Sequence, residues 1–208
     1  MSILDKLSTS LNRRDEVPNQ ELAKKILKTK DKKAIKELAE NLENKNKGIQ
    51  SDCIKVLYEI GESNPSLIAG YEDNFLDLLD GKNNRLIWGA LTALDCIASV
   101  SSKSIYKNIE KIQKAANEGS VIAKDHYVNI LIKLSSDKSY ANRTIPLLFQ
   151  QLEKAAINQL PMYAERAMPA VSGKDKKMMI KILTARLVEI EKESKIKRIR
   201  KVIDKLNK

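Results

Sequence analysis

The sequence predicts an all-α fold, a right-handed α–α solenoid of about four stacked two-helix units with a period of about 37 residues and further helices at both ends. Three observations predict it. The 208 residues are 42% hydrophobic but only 4% aromatic, with 31% charged, 7 Gly and 5 Pro, which is the residue usage of a helical protein rather than a sandwich or barrel. No stretch shows the apolar–polar alternation of a half-buried strand. And the chain resembles itself: Ile49–Ile68 laid over Leu86–Ile105, an offset of 37, brings the apolar positions into coincidence.

The elements follow in chain order. Residues 1–30 are read as N-terminal helices; their opening, MSILDKLSTSLNRRDE, lacks the basic region, apolar core and small-residue cleavage site of a secretory signal. Residues 31–172 carry the repeats. Ile54, Leu57 and Ile60 fall on Leu91, Leu94 and Ile97, then on Val128, Leu131 and Leu134, and with a shift of 36 on Ala164, Ala167 and Ala170. The spacing of three, with Cys53, Ala90, Tyr127 and Tyr163 just ahead, marks one face of a helix. Upstream, Leu38, Phe75 and Ile112 share a second column, and Leu42, Leu79 and Ala116 a third, so each unit is a pair of helices.

Polar breaks at 43–47, 81–84 and 117–120 separate the helices of a pair; those at 62–64, 99–102 and 135–139 separate pairs. Asn64 before Pro65 reads as an N-cap with proline in the first helical turn. Pro146 is expected to open the fourth first helix, while Pro161 and Pro169 predict a bent or capped last unit. A two-helix unit cannot bury its stripe alone, and stacking buries it, with second helices lining the concave side. The apolar run Leu86–Val100 is broken by Asp95 and is shorter than the roughly 20 residues a bilayer requires, so it reads as a buried helix. The whole chain is read as one domain.

These units, with a Leu/Ile/Ala-rich second helix and an IGESNP turn leading to the next pair, resemble HEAT or armadillo-type repeats over residues 31–172. The resemblance implies a helical-repeat scaffold and says little about function. It also brings in the HEAT-like alkylpurine DNA glycosylases, in which Trp, Asp and Arg face the damaged nucleotide. That resemblance extends only to the architecture.

No catalytic constellation stands out. His126 is alone, without Cys or His at metal-ligand spacing. Ser135 and Lys138 match SxxK only within an inter-repeat turn, and Gly81-Lys82 and Gly173-Lys174 lack the rest of a phosphate loop. Cys53 and Cys96 sit in apolar helical patterns without CxxC spacing, as expected in a reducing cytoplasm. The expectation is therefore a cytoplasmic, non-enzymatic scaffold with no metal and no cofactor, binding a protein or peptide on its concave face. Candidate contacts there are Tyr58, Arg85, Trp88, Thr92, Asp95 and Asn129, from the columns that face away from the core stripe. Trp and Arg are frequent binding hot spots, and Trp88 shares a helical face with Arg85, Thr92 and Asp95. Nucleic-acid binding or DNA repair is the alternative, which carboxylates in the same columns oppose.

The formal net charge is +11, and residues 174–208 alone hold 13 basic and 5 acidic side chains, leaving 25 against 22 elsewhere. In the last helix Ile196, Ile199, Val202, Ile203 and Leu206 form an apolar stripe, expected to close the stack against residues 178–187. Lys195, Lys197, Arg198, Arg200, Lys201 and Lys205 crowd the remainder as candidate contacts for an anionic partner.

Overall fold

The structure, a computed structural model, describes residues 2–208. It is 77% helical, with twelve α-helices and no strand among the described residues. They are α1 (Val17–Thr29), α2 (Lys32–Glu40), α3 (Lys47–Ser63), α4 (Glu72–Leu78), α5 (Asn84–Ile97), α6 (Ser102–Lys107), α7 (Ile109–Glu118), α8 (Val121–Ser135), α9 (Lys138–Lys154), α10 (Leu160–Ala167), α11 (Lys174–Leu187) and α12 (Glu193–Leu206). The chain forms two compact units, Met1–Tyr127 and Val128–Lys208, with the boundary inside α8.

The helix starts are chemically defined. Asn46 accepts from the Gly48 and Ile49 amides (2.9 and 3.5 Å), Asn83 from the Arg85 amide (3.0 Å) and Ser120 from the Ala123 amide (3.3 Å). Each satisfies donors that the first helical turn leaves without a partner. The three caps lie 37 residues apart, so the repeat includes the cap of its second helix. Asn64 is no such cap: its side chain bonds no amide of the following turn, and Pro65 opens a short 3-10 turn, Pro65–Leu67. Pro146 also differs from its expected place, lying inside α9 rather than at its start, where Asp137 caps the Ser139 amide at 2.8 Å.

The repeat columns are core. Leu57, Leu94 and Leu131 are each 0% exposed, and Leu38, Phe75 and Ile112 likewise. Ala164 and Ala167 are buried, whereas Ala170 is half-buried because α10 gives way to a 3-10 turn, Met168–Ala170, around Pro169. In the first unit α3 packs on α2 within its pair and lies between α1 and α5. The α3–α5 approach is close, and Gly89 permits it: a Cβ there would stand 2.9 Å from Cγ1 of Ile54.

In the second unit α11 packs on α9, α12 on α10, and α11 and α12 on each other. The C-terminal segment thus builds a helix pair of the same kind as the repeats. Ile199, Val202 and Leu206 are buried and Ile196 and Ile203 half-buried, against α10 as well as the expected α11. Arg186 on α11 ties the pair to α9 by donating to the carbonyls of Leu152 and Ala155 (2.9 Å each) and Glu153, where a helix end leaves acceptors unpaired.

Candidate functional site

The candidate contacts of the first unit gather on the α3–α5 seam, but not all as surface groups. Arg85 is exposed and Trp88 half-buried; Tyr58, Thr92 and Asp95 are only 6, 4 and 7% exposed. Their expected outward position is corrected by the closeness of neighbouring second helices, which turns the flank of each apolar stripe into an interhelix contact. Thr92 donates its hydroxyl hydrogen to the Trp88 carbonyl (2.8 Å), within its own helix. Asp95 Oδ2 lies 2.8 Å from Nδ1 of His126, making the solitary histidine an interhelix partner. Asn129 falls in the second unit, where its Oδ1 accepts from Arg166 at 3.2 Å.

What the seam does present is an aromatic pair framed by charge. The Tyr58 and Trp88 rings lie 5.9 Å apart at a 49° tilt, and Lys55 Nζ sits 4.9 Å from the Tyr58 ring centroid. Lys55 in turn reaches Glu59 at 2.6 Å and Glu16 at 3.0 Å, and Glu16 also holds Arg85 at 3.0 Å. Burial works against the Lys55 ammonium, yet its bonds to Glu59, Tyr58 and Glu16 outweigh that cost and raise its pKa. Glu62, one turn beyond Glu59, has its carboxyl pKa raised by burial first and then by the charges of Glu59 and Asp95, with Lys55 and His126 opposing. The seam therefore offers an indole face between ion pairs, with the Glu62 carboxylate one turn past the Lys55-paired Glu59.

Several of these groups escape sequence reasoning. Arg85 and Glu16 are 69 positions apart, and no local pattern joins them. Asp52, which reads from sequence as another carboxylate of the concave stripe, is 7% exposed and structural. It accepts from the Thr9 amide (2.7 Å) and from Asn19 Nδ2 (2.8 Å), while Asn19 Oδ1 takes the Ser8 amide (3.0 Å), fastening the N-terminal turn to α1 and α3.

The basic candidates of α12 divide in two. Arg198 makes a two-pronged pair with Glu165 of α10 (2.8 and 2.6 Å) and Lys195 donates to Asn158, so both secure packing. Lys197 lies 3.8 Å from Glu193 on its own helix. Arg200, Lys201 and Lys205 are exposed and make no ion pair among the described residues. No cluster of three or more metal-ligating side chains occurs among the described residues, and no helix is long and apolar enough to cross a membrane.

Helix pairs in repeated register, joined by short capped breaks, define an all-α repeat-solenoid protein of the armadillo/HEAT-like class. Solved structures that resemble it include designed armadillo repeat proteins. A designed armadillo repeat protein in complex with the peptide (KR)4 superposes with a TM-score of 0.69 at 16% identity, over 90% of this chain and 87% of that one. A computationally designed armadillo repeat protein for modular peptide recognition gives 0.65 at 15%, over 97% of each. An engineered protein gives 0.61 at 18%, over 100% of this chain and 97% of that one. No family model matches the chain. No curated protein matches it either.

Proposed function

We infer that the protein is a non-enzymatic repeat scaffold that holds an extended, basic peptide across the α3–α5 seam of its first unit. The observation that carries this reading is the half-buried Trp88, tilted against Tyr58 on the seam where α3 also carries the carboxylates Glu59 and Glu62. An indole face takes the alkyl stem and cationic head of Lys or Arg, and the Glu62 carboxyl, raised by burial and then by the charge of Glu59, gains when a cation arrives. The (KR)4 peptide bound by a designed protein of the same fold suits that sign of charge. The same carboxylates repel a polyphosphate, which favours a peptide over nucleic acid here. Arg85 and Glu16 serve as a paired rim; Thr92 and Asp95 hold the seam in shape.

Trp88 is the only tryptophan, so its fluorescence reports the site directly. Titrating the full chain with (KR)4 should give a saturable emission change, and Glu59→Gln with Glu62→Gln should weaken binding about tenfold or more, as expected for charge-assisted contacts. An acidic peptide or duplex DNA that produces the same change, or an unresponsive Trp88, would remove the proposal.

A further inference from the structure

The outward face of the last helix pair has a chemistry of its own, independent of the peptide reading. On α11 the buried residues are Met179, Ile182 and Leu183, so the side turned away from α9 carries Lys177 and Lys181 at helical spacing, with Val188 in the turn just past the helix end. On α12 the buried residues are Ile199, Val202 and Leu206, and the side turned away from α10 carries Arg200 and Lys201. Because α11 and α12 pack side by side, these two rows lie on adjacent helices about 20 Å long, set by their 14 residues each. Cations outnumber carboxylates on the pair: Asp204 and Glu193 oppose them along α12, and Asp175 and the Arg186-paired Glu189 at the two ends of α11.

Two apolar side chains stand exposed in this basic surface. Val188 is 88% exposed, the highest among the large hydrophobic residues described, and Met178 is 48% exposed. A polyphosphate offers nothing to a bare valine or methionine, and neither α11 nor α12 contains an aromatic residue on which a base could stack. A bilayer of anionic phospholipid satisfies both features: its headgroup charge attracts the lysines, and its acyl boundary takes up Val188 and Met178. A further helix pair is excluded as occupant, since it would strand these cations against an apolar stripe. We propose that the outward α11–α12 face docks reversibly on an anionic phospholipid surface, with the cations supplying the attraction and Val188 and Met178 inserting shallowly.

The test is co-sedimentation of the full chain with vesicles of phosphatidylcholine alone and of phosphatidylcholine with phosphatidylserine, at physiological salt. Binding is expected only to the anionic vesicles. The variant Lys177→Gln, Lys181→Gln, Arg200→Gln, Lys201→Gln should bind them at least about a hundredfold more weakly, four interfacial charges having been removed, with its melting temperature unchanged. Val188→Ser should weaken binding severalfold without altering the fold. Failure to sediment with anionic vesicles, equal sedimentation of the quadruple variant, or tighter binding to a DNA duplex than to those vesicles at the same salt would each overturn the proposal.

Discussion

At the scale of single residues, the positions that recur every 37 residues hold the core. Leu57, Leu94 and Leu131 are wholly buried, and truncating any one to Ala should cost about 2 to 5 kcal/mol in denaturant unfolding, the cost of lost contacts and a residual cavity. A value under about 1 kcal/mol would show that the site collapses or is exposed. The two cysteines separate in reactivity. Burial, reinforced by the charges of Asp52 and Glu37, pushes the Cys53 thiol up to about 12, whereas Cys96 is half-buried. Ellman's reagent at pH 8 should therefore label one thiol in the folded protein and two after denaturation. Since the folded thiol holds its proton more tightly than the unfolded one, whose value is 9.0, its share of stability is whole below pH 9.0 and declines as pH rises toward about 12.

At the scale of elements, α12 is the most informative. Its stripe is buried on α10 and α11, so removing residues 194–208 should lower the melting temperature and solubility of what remains. A truncated protein that melts with the full chain would mean that the stripe contributes nothing. The Arg198–Glu165 clamp across α10 and α12 is exposed enough to be worth at most about 1 kcal/mol. Arg198, by hydrogen bond and by charge, holds the Glu165 carboxyl below its ordinary value of 4.5. The sign follows: the clamp's stability is present above the unfolded carboxyl pKa and is lost as pH falls through the lower folded one. Glu165→Gln should accordingly destabilise at pH 7, and the difference from the parent protein should shrink in acid, measured by urea unfolding at both pH values.

For the whole chain, circular dichroism should show deep minima at the helical wavelengths and no strand component; a strand-rich spectrum would contradict the fold. The charge is unevenly distributed, +8 in residues 174–208 against +3 before them, and the structure divides that excess into two kinds of work. Arg186, Lys195 and Arg198 are bonded to carbonyls or side chains of α9, α10 and the segments that follow them, while Lys177, Lys181, Arg200 and Lys201 remain on the surface.

The helical period, the 37-residue register and the paired helices were legible from sequence because burial demands apolar side chains at repeating positions, and Leu57, Leu94, Leu131, Leu38, Phe75 and Ile112 meet that demand. A polar residue at the edge of such a stripe is ambiguous, for its exposure depends on how near the next helix comes. Tyr58, Thr92 and Asp95 were decided by the tight α3–α5 approach at Gly89, and Asp52 by the N-terminal turn folding over it. The contact of Glu16 with Lys55 and Arg85, the pairing of Arg198 with Glu165 and the packing of the two basic helices side by side were likewise settled only by tertiary structure. Charged side chains are long, soluble in every register and free of periodic constraint, so only packing selects their partners.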